Sequence, residues 1–186
     1  MIMEVMGRDA GWIALHTAVA GGAEICLIPE IPFSIEKIIK KIKKRYKKGK
    51  GFVNIVIAEG AKPIDGQIVG KKSSDIGDQH IKLGGIGNYL KMRLDQTQSV
   101  AQIRTTILGH TQRGGTPVAF DRILATTMGV KAFEMVNAGE YGRMVSYHNN
   151  ELQSVTLAEA VGKYKVVPKE HYLIKTAKLM GISFGD

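Results

Sequence analysis

The chain has 186 residues and a net charge of +9, and its 44% hydrophobic and 23% charged residues are ordinary for a folded globular protein. Its single cysteine, Cys26, excludes a disulfide framework within one chain, and no apolar run is long enough to suggest a transmembrane helix. The N-terminus also lacks the charged and apolar regions of a secretory signal, so we expect a cytoplasmic protein with no membrane partner.

The first third of the chain alternates apolar runs with helical patterns. Met1–Val5, Glu24–Pro29 and Phe52–Ala58 are predicted to be strands, and the last of these is long enough for a central strand. Gly11–Ala20 is apolar nearly all round, which predicts a helix buried between two layers. This alternation of strands and helices predicts an α/β fold with a parallel sheet flanked by helices.

Residues 36–50 form a basic segment with eight lysines and one arginine against one glutamate, which leaves a net charge of +1 for the rest of the chain. Isoleucines at helical spacing, Ser34 as N-cap and Gly49 past the end predict an amphipathic helix. The simplest interpretation is that the isoleucines pack on a sheet while the lysines face solvent; an anion- or effector-binding surface is the alternative. We expect no nucleic-acid partner, because the chain has no interleaved aromatic pattern or recognised nucleic-acid module.

The middle of the chain is rich in turn-forming residues. Residues 60–77 are predicted to be a surface loop, and Ile76–Asp95 to contain a helix whose apolar residues begin at Leu83. The acidic and basic pair Asp121 and Arg122 is best explained as a helix start or an ion pair. The rest of the chain is predicted to form a strand at Ala101–Leu108 and a long helix at Val118–Val136. A hairpin of Arg143–Tyr147 with Leu152–Thr156 and two short helices, Leu157–Lys163 and His171–Leu179, are predicted to follow.

The most informative stretch is residues 104–117, which place two arginines, a histidine and a glutamine around a Gly-Gly turn. Arg104 lies inside the predicted strand, whereas His110 and Arg113 fall past its end, where an open α/β sheet places its ligands. Two guanidiniums and an imidazole converging on one point suit a phosphate ester, because Arg binds phosphate oxygens in bidentate fashion. Surface salt bridges for the arginines and an ordinary polar role for the histidine are the alternatives.

This stretch resembles the hexose-phosphate motif R-x-x-x-L-G-H-x-Q-R-G-G of the 6-phosphofructokinase family. Further blocks of that family occur in the family order, and together they touch most of the chain from residue 4 to about residue 142. The sequence of Gly11–His16 is most similar to that of the pyrophosphate-dependent and mixed branch of the family. The blocks are Glu4–Arg8 running into Gly11–Leu15 and Ala20–Glu24, then Ile57–Gly60, then Pro117–Ala125.

The resemblance implies a phosphofructokinase-like fold of two α/β domains, between which the chain crosses more than once. The glycine-rich loop, the G-G-D-[GD] motif and the T-I-D-N-D motif of the phosphoryl-donor half do not occur in the sequence. The chain therefore resembles the C-terminal half, with the N-terminal nucleotide-binding half missing. Residues 1–110 would form the sugar-phosphate domain, residues 111–165 a segment of the larger domain whose main part is absent, and residues 166–186 a helix returning to the first domain.

Four of the expected site residues lie in the first two family blocks. By resemblance, Met6 and Gly7 contact the sugar, and Arg8 is the catalytic residue that approaches the transferring phosphate. Glu59 accepts hydrogen bonds from sugar hydroxyls; core packing for Met6 and an ion pair for Glu59 are the alternatives. Because Met6-Gly7-Arg8 follows a predicted strand and opens a helix, we also expect its backbone N–H groups to favour anions.

Three more expected site residues lie in the hexose-phosphate motif. By resemblance, His110 and Arg113 hold the 6-phosphate of the sugar in their own chain, whereas Arg104 serves the site of a neighbouring subunit. These assignments imply a homo-oligomer. None of the other histidines shows a metal-ligand spacing, so we expect no metal site in this chain.

The resemblance implies a phosphotransferase of glycolysis, in which this chain binds fructose 6-phosphate for phosphoryl transfer to the 1-hydroxyl. Mg²⁺ would arrive with ATP or pyrophosphate, bound mainly by the missing half, so this chain would bind no cofactor firmly. Lacking the donor site and the catalytic base, the chain alone is expected to show no activity. The alternative is a non-catalytic truncated module, or a subunit that binds phosphate or assembles with a full-length partner or a complementary N-terminal half.

Overall fold

The computed structural model describes residues 1–65, 70–72, 81–83, 85–97, 102–162 and 164–186. They form two compact units: residues 1–113 together with 166–186, and residues 114–165. The elements, in chain order, are β1 (Ile2–Val5), α1 (Trp12–Ala20), β2 (Ile25–Leu27), α2 (Ile35–Lys47), β3 (Ile55–Ala58), β4 (Gly70–Lys72), β5 (Ile81–Leu83), α3 (Ile86–Asp95), β6 (Thr105–Ile107), a 3₁₀ helix (Gly109–Arg113), α4 (Ala119–Asn137), β7 (Arg143–His148), β8 (Glu151–Thr156), α5 (Leu157–Val161) and α6 (Tyr172–Leu179).

The first unit is built on a four-stranded sheet in the order β2-β3-β1-β6, in which all neighbouring strands are parallel. Ile2 is paired with Ile55 of β3 on one side and with Thr105 of β6 on the other. The α/β fold with a parallel sheet is therefore confirmed. Because the strands are parallel, the segments that follow β1, β3 and β6 meet at one edge of the sheet.

Both faces of the sheet are covered by helices, as parallel sheets require. Alternate residues of a strand face opposite layers, so β1, β2 and β3 each contribute to two apolar clusters. One cluster joins the sheet to α1, α6 and the C-terminal tail, through residues that include Val5, Cys26, Val56, Leu15, Ala18, Ile174 and Phe184. The other joins it to α2 and α3, through residues that include Ile2, Leu27, Ile57, Ile38, Ile42, Ile86 and Leu90.

The basic helix forms as the sequence predicts. The Ser34 hydroxyl accepts a hydrogen bond from the Lys37 N–H (3.4 Å) at its N-terminus, and Gly49 has a positive φ of 75° just past its end. Ile38 and Ile42 are buried against the sheet, while most of the lysines are exposed. Packing of the isoleucine face is therefore confirmed.

The C-terminal tail extends the sheet beyond β2. The Cys26 N–H donates to the Ser183 carbonyl (2.9 Å), and the Ser183 N–H donates to the Glu24 carbonyl (3.0 Å). Upstream of the tail, the Val167 N–H donates to Oε1 of Glu30 (2.8 Å). Residues 166–186 thus return to the first unit after the chain has passed through residues 114–165.

Several predicted elements need correction. Helix α1 is not buried all round, because Ile13 is 47% exposed and His16 is also exposed. The helix predicted within Ile76–Asp95 begins only at Ile86, and Leu83 belongs to β5, which pairs antiparallel with β4 inside the predicted 60–77 loop region. The parts of these and other predictions that fall on residues 66–69, 73–80, 84, 98–101 and 163 lie outside the described residues.

The second unit contains the long helix, the hairpin and one short helix. Asn149 and Asn150 both have positive φ, as a two-residue hairpin turn requires. The Asp121 carboxylate accepts the Val118 N–H (3.0 Å), which confirms the helix-start interpretation of Asp121. Helix α4 exposes large apolar side chains, among them Phe120, Ile123 and Phe133 at 59%, 65% and 72% exposure. Among the helices of the described residues, none is long and apolar enough to cross a membrane.

Candidate functional site

Three segments that are distant in sequence meet at the carboxyl edge of the sheet. Residues 6–8 follow β1, residues 59–60 follow β3, and residues 109–113 follow β6 after one intervening residue. All three contain predicted site residues, and all belong to the first unit. The parallel register of β1 with both β3 and β6 is what brings them together.

The turn after β1 is held by side chains from the other two segments. The Met6 N–H donates to Oε1 of Gln112 (2.9 Å), a contact between residues 106 positions apart. The Gly7 N–H donates to Oε1 of Glu59 (3.4 Å). The predicted residues Met6, Gly7 and Glu59 are therefore in one cluster, and Gln112 connects that cluster to the hexose-phosphate motif.

Gly60 makes the closest backbone approach in this region. Its N–H donates to the Gly7 carbonyl (3.0 Å), and the preceding Glu59 N–H donates to the Val5 carbonyl (2.9 Å). A Cβ added to Gly60 would lie 1.8 Å from the carbonyl oxygen of Arg8. Only glycine fits at this position, and its absent side chain is what lets the Arg8 backbone lie against the end of β3.

The expectation that the Met6–Arg8 backbone binds anions at a helix N-terminus is wrong. Helix α1 begins at Trp12, and the N–H of its N-cap, Gly11, donates to the Glu30 carboxylate (3.0 Å). The N–H groups of Met6 and Gly7 already have side-chain acceptors. This turn therefore offers a ligand the exposed Arg8 side chain and the Met6 side chain, not a row of free N–H groups.

His110 and Arg113 form the cationic part of the site. Both lie in the 3₁₀ helix Gly109–Arg113, and both are exposed. In a 3₁₀ helix, residues three apart lie directly above one another, so these two side chains share one face. Gly109 (φ 48°) and Gly115 (φ 101°) adopt left-handed conformations on either side of the pair, which glycine tolerates without strain.

Arg104 lies away from this cluster. It precedes β6 rather than lying inside the strand, and its carbonyl accepts the Ile2 N–H (2.8 Å) at the amino edge of the sheet. From Arg104 to Leu108, the residue before the 3₁₀ helix, extended backbone rises by about 13 Å. The expectation that both arginines converge on one point is therefore not met within this chain. Arg104 is exposed at the opposite edge of the sheet.

Two residues that shape the site had no role assigned from sequence. Gln112 is a residue of the hexose-phosphate motif, and Gly60 is the last residue of the family block Ile57–Gly60. Their functions depend on contacts with Met6 and Arg8, which no local pattern reveals. The only signal in the sequence was the position of Gln112 between two expected phosphate ligands.

Two other reactive side chains of the first unit, Cys26 and Glu24, have structural roles. Burial, with a smaller contribution from Glu30, raises the pKa of the Cys26 thiol to about 12, so the thiol stays protonated at neutral pH. Glu24 is buried, pairs with Arg45 (2.6 Å) and accepts the Asn54 N–H (2.7 Å). Across the part of the chain that the structure describes, no three His, Cys, Asp or Glu side chains are grouped to hold a metal ion.

Comparisons with known proteins agree on one family. The family model described as phosphofructokinase matches residues 1–136. The chain is 48% identical, over its full length, to an ATP-dependent 6-phosphofructokinase 2 of Clostridium perfringens, of which it covers 51%. It is 44% identical over 172 residues, or 92% of its length, to a pyrophosphate–fructose 6-phosphate 1-phosphotransferase of Amycolatopsis methanolica, of which it covers 50%.

Solved structures give the same result for the fold. A pyrophosphate-dependent phosphofructokinase from Marinobacter aquaeolei superposes with a TM-score of 0.69 at 25% identity, over 90% of this chain and 41% of that one. Phosphofructokinase from Saccharomyces cerevisiae superposes with a TM-score of 0.65 at 28% identity, over 96% of this chain and 21% of that one. The chain spans about half the length of the curated relatives it matches. On the family model and on these relatives, the chain belongs to the phosphofructokinase family.

Proposed function

We propose that this chain forms the acceptor site of a 6-phosphofructokinase, binding fructose 6-phosphate for phosphoryl transfer to its 1-hydroxyl in glycolysis. The observation that carries the proposal is the meeting of three family blocks at one sheet edge, joined by the hydrogen bonds of Met6 to Gln112 and of Gly7 to Glu59. Open parallel sheets bind their ligands at this edge. One relative is named a fructose 6-phosphate 1-phosphotransferase.

The 6-phosphate is assigned to His110 and Arg113. A guanidinium offers two parallel N–H donors to phosphate oxygens, and an imidazole on the same face adds a third donor. Both side chains are exposed, so a ligand can reach them without rearrangement of the core. This arrangement supports a phosphate monoester as the ligand.

The sugar is assigned to Met6, Gly7 and Glu59. A carboxylate has about four lone-pair positions, so Glu59 can accept bonds from sugar hydroxyls while it holds the Gly7 N–H. Arg8 emerges from the same turn and is exposed. We assign to Arg8 the catalytic role of offsetting charge that develops on the transferring phosphoryl group, the usual contribution of a protein to this reaction.

The phosphoryl donor is assigned to structure outside this chain. Relatives are named both ATP-dependent and pyrophosphate-dependent, so the family allows either donor with Mg²⁺. The described residues group no set of metal ligands, so they do not fit a resident ion. We expect a coupled assay of the isolated chain, with ATP and then pyrophosphate, to show no turnover; activity at ordinary kinase rates would refute the acceptor-half assignment.

We further propose that residues 1–110 with 166–186 are the sugar-phosphate domain, and that residues 111–165 belong to the larger domain. Arg104 is exposed at the edge of the sheet opposite His110, which supports its assignment to the site of a neighbouring subunit. The exposed apolar side chains of α4 support association as well. The proposed assembly is a cytoplasmic homo-oligomer, or a complex with a complementary N-terminal half.

Isothermal titration calorimetry with fructose 6-phosphate tests the site. Removing the Arg113 guanidinium in Arg113→Ala is expected to weaken binding by roughly 1.5–3 kcal/mol, the range for a hydrogen bond to a charged group. Arg122→Ala is the matched control, since Arg122 is an exposed arginine of α4 outside the site. Equal binding by Arg113→Ala and Arg122→Ala would refute the assignment. Binding of inorganic phosphate with no preference for the sugar ester would favour the non-catalytic module instead.

A further inference from the structure

We propose that Gln112 is a positioning residue for the sugar, which holds the turn after β1 at a fixed distance from the phosphate-binding residues. This inference rests on the proposed function and deepens it. The family resemblance assigns roles to His110 and Arg113 but none to Gln112, which lies between them. Its evidence is the geometry of the amide at the sheet edge.

The first observation is where Gln112 points. It lies between His110 and Arg113 in the 3₁₀ helix, where three residues make one turn. The two cationic residues therefore share a face that Gln112 does not share. The Gln112 side chain instead reaches the turn after β1, where Oε1 accepts the Met6 N–H at 2.9 Å. One short helix thus presents the cations on one side and holds Met6 on another.

The second observation is the orientation of the amide. Nε2 of Gln112 is buried and has no hydrogen-bond partner among the described residues. A flipped amide would place two donors, Nε2–H and the Met6 N–H, against each other, so the Met6 contact fixes which atom is oxygen. A buried donor without a partner is costly. Within the described structure, the Gln112 amide thus acts only as an acceptor, for the Met6 N–H, and its Nε2 donors bind nothing.

The third observation concerns the tether, by which we mean the hydrogen bond from the Met6 N–H to Gln112, and its effect on the turn after β1. With the Met6 N–H bound to Gln112 and the Gly7 N–H bound to Glu59, neither is free to bind a phosphate oxygen. The turn after β1 then acts on the sugar, and the 3₁₀ helix acts on the phosphate. Losing the tether should change recognition of the sugar ester and leave recognition of phosphate alone.

The experiment compares Gln112→Met, which is close in shape and has no strong acceptor, with Gln112→Glu, which keeps an acceptor oxygen. Calorimetry gives the dissociation constants of the whole 186-residue chain for fructose 6-phosphate and for inorganic phosphate. Amide hydrogen exchange by NMR gives the protection of the Met6 N–H. For Gln112→Met we expect fructose 6-phosphate to bind roughly two- to tenfold more weakly, the worth of one hydrogen bond. Phosphate affinity should stay unchanged, and the Met6 amide should exchange faster.

For Gln112→Glu, the added negative charge should weaken both ligands alike, so the ratio of the two constants should return to the wild-type value. The Met6 amide should regain its protection. Equal losses for both ligands in Gln112→Met would show a merely structural role and overturn the proposal. If the Met6 amide of Gln112→Met exchanges at the wild-type rate, the hydrogen bond from the Met6 N–H to Gln112 does not hold the turn, and the proposal is overturned. A wild-type chain that binds neither ligand, with Met6 exchange still responding, would instead refute the proposed function and with it the sugar role of Gln112.

Discussion

Gly60→Ala is the sharpest test of how the site is held together. The added Cβ would lie 1.8 Å from the carbonyl oxygen, 2.6 Å from the carbonyl carbon and 3.0 Å from the Cα of Arg8. An unstrained carbon contact needs about 3.5 Å, so the Arg8 peptide must retreat by well over 1 Å. The obstacle is backbone, and no change of rotamer removes the clash.

The cost follows from two terms. Overpacking a close-packed site costs roughly 1–3 kcal/mol, and loss of the hydrogen bond from the Gly60 N–H to the Gly7 carbonyl adds about 1 kcal/mol. Gly60→Ala should therefore lower the free energy of unfolding by roughly 2–4 kcal/mol. It should also displace Arg8 and weaken fructose 6-phosphate binding in the same protein.

Urea unfolding and calorimetry measure the two effects. Gly51→Ala is the matched control, because an added Cβ at Gly51 meets nothing within 4 Å. It should change the free energy of unfolding by no more than about 0.5 kcal/mol, as an ordinary surface substitution does. If Gly60→Ala unfolds at the same urea concentration as Gly51→Ala, the close approach of Gly60 to Arg8 does not exist and the reasoning fails.

Four other predictions concern the body of the protein. Glu4 is 2% exposed, and its carboxylate accepts hydrogen bonds from the N–H groups of Gly85 (3.1 Å) and Gly87 (2.8 Å). Because Glu4→Leu leaves both donors unpaired, it should lower the free energy of unfolding by roughly 2–5 kcal/mol. An unchanged free energy of unfolding in chemical denaturation would contradict this prediction. The pKa of Cys26 is raised to about 12 by burial, so the thiol should resist Ellman's reagent until the chain unfolds. Because the folded state holds that proton more tightly, Cys26 should contribute fully to stability below about pH 9 and lose that contribution as the pH rises toward 12, a slope that Cys26→Ala should lack. The exposed apolar residues of α4 predict a dimer or larger assembly in size-exclusion chromatography with light scattering at micromolar concentration, and a cooperatively melting monomer would argue for an independent module.

Sequence patterns predicted the architecture well, because the determinants of its elements are local. The parallel sheet follows from the alternation of strands and helices, and the ends of α2 follow from Ser34 and Gly49. The boundaries of α3 were not accessible in the same way. The helix begins at Ile86 after its N-cap Gly85 (φ 87°), whereas Leu83 belongs to β5, so the apolar spacing that starts at Leu83 spans two different elements.

The site was predicted only in part, for a similar reason. Motifs identified which segments carry ligand-binding residues, but the contacts between segments depend on tertiary structure. Gln112 and Gly60 act on Met6 and Arg8 from far along the chain. The separation of Arg104 from Arg113 follows from the strand between them, since residues before and after a strand lie at opposite edges of the sheet.

The return of residues 166–186 to the first unit has a consequence for the order of folding. The chain is made from its N-terminus, so β1, β2 and β3 exist long before the tail that pairs with Cys26 and the segment that binds Glu30. Until then the outer edge of β2 is unpaired, and α1 lacks the cover of α6. An open strand edge of this kind is prone to pair with another chain. Residues 114–165 must therefore be completed before the first unit can close, so folding of that unit waits for contacts between segments far apart in the sequence.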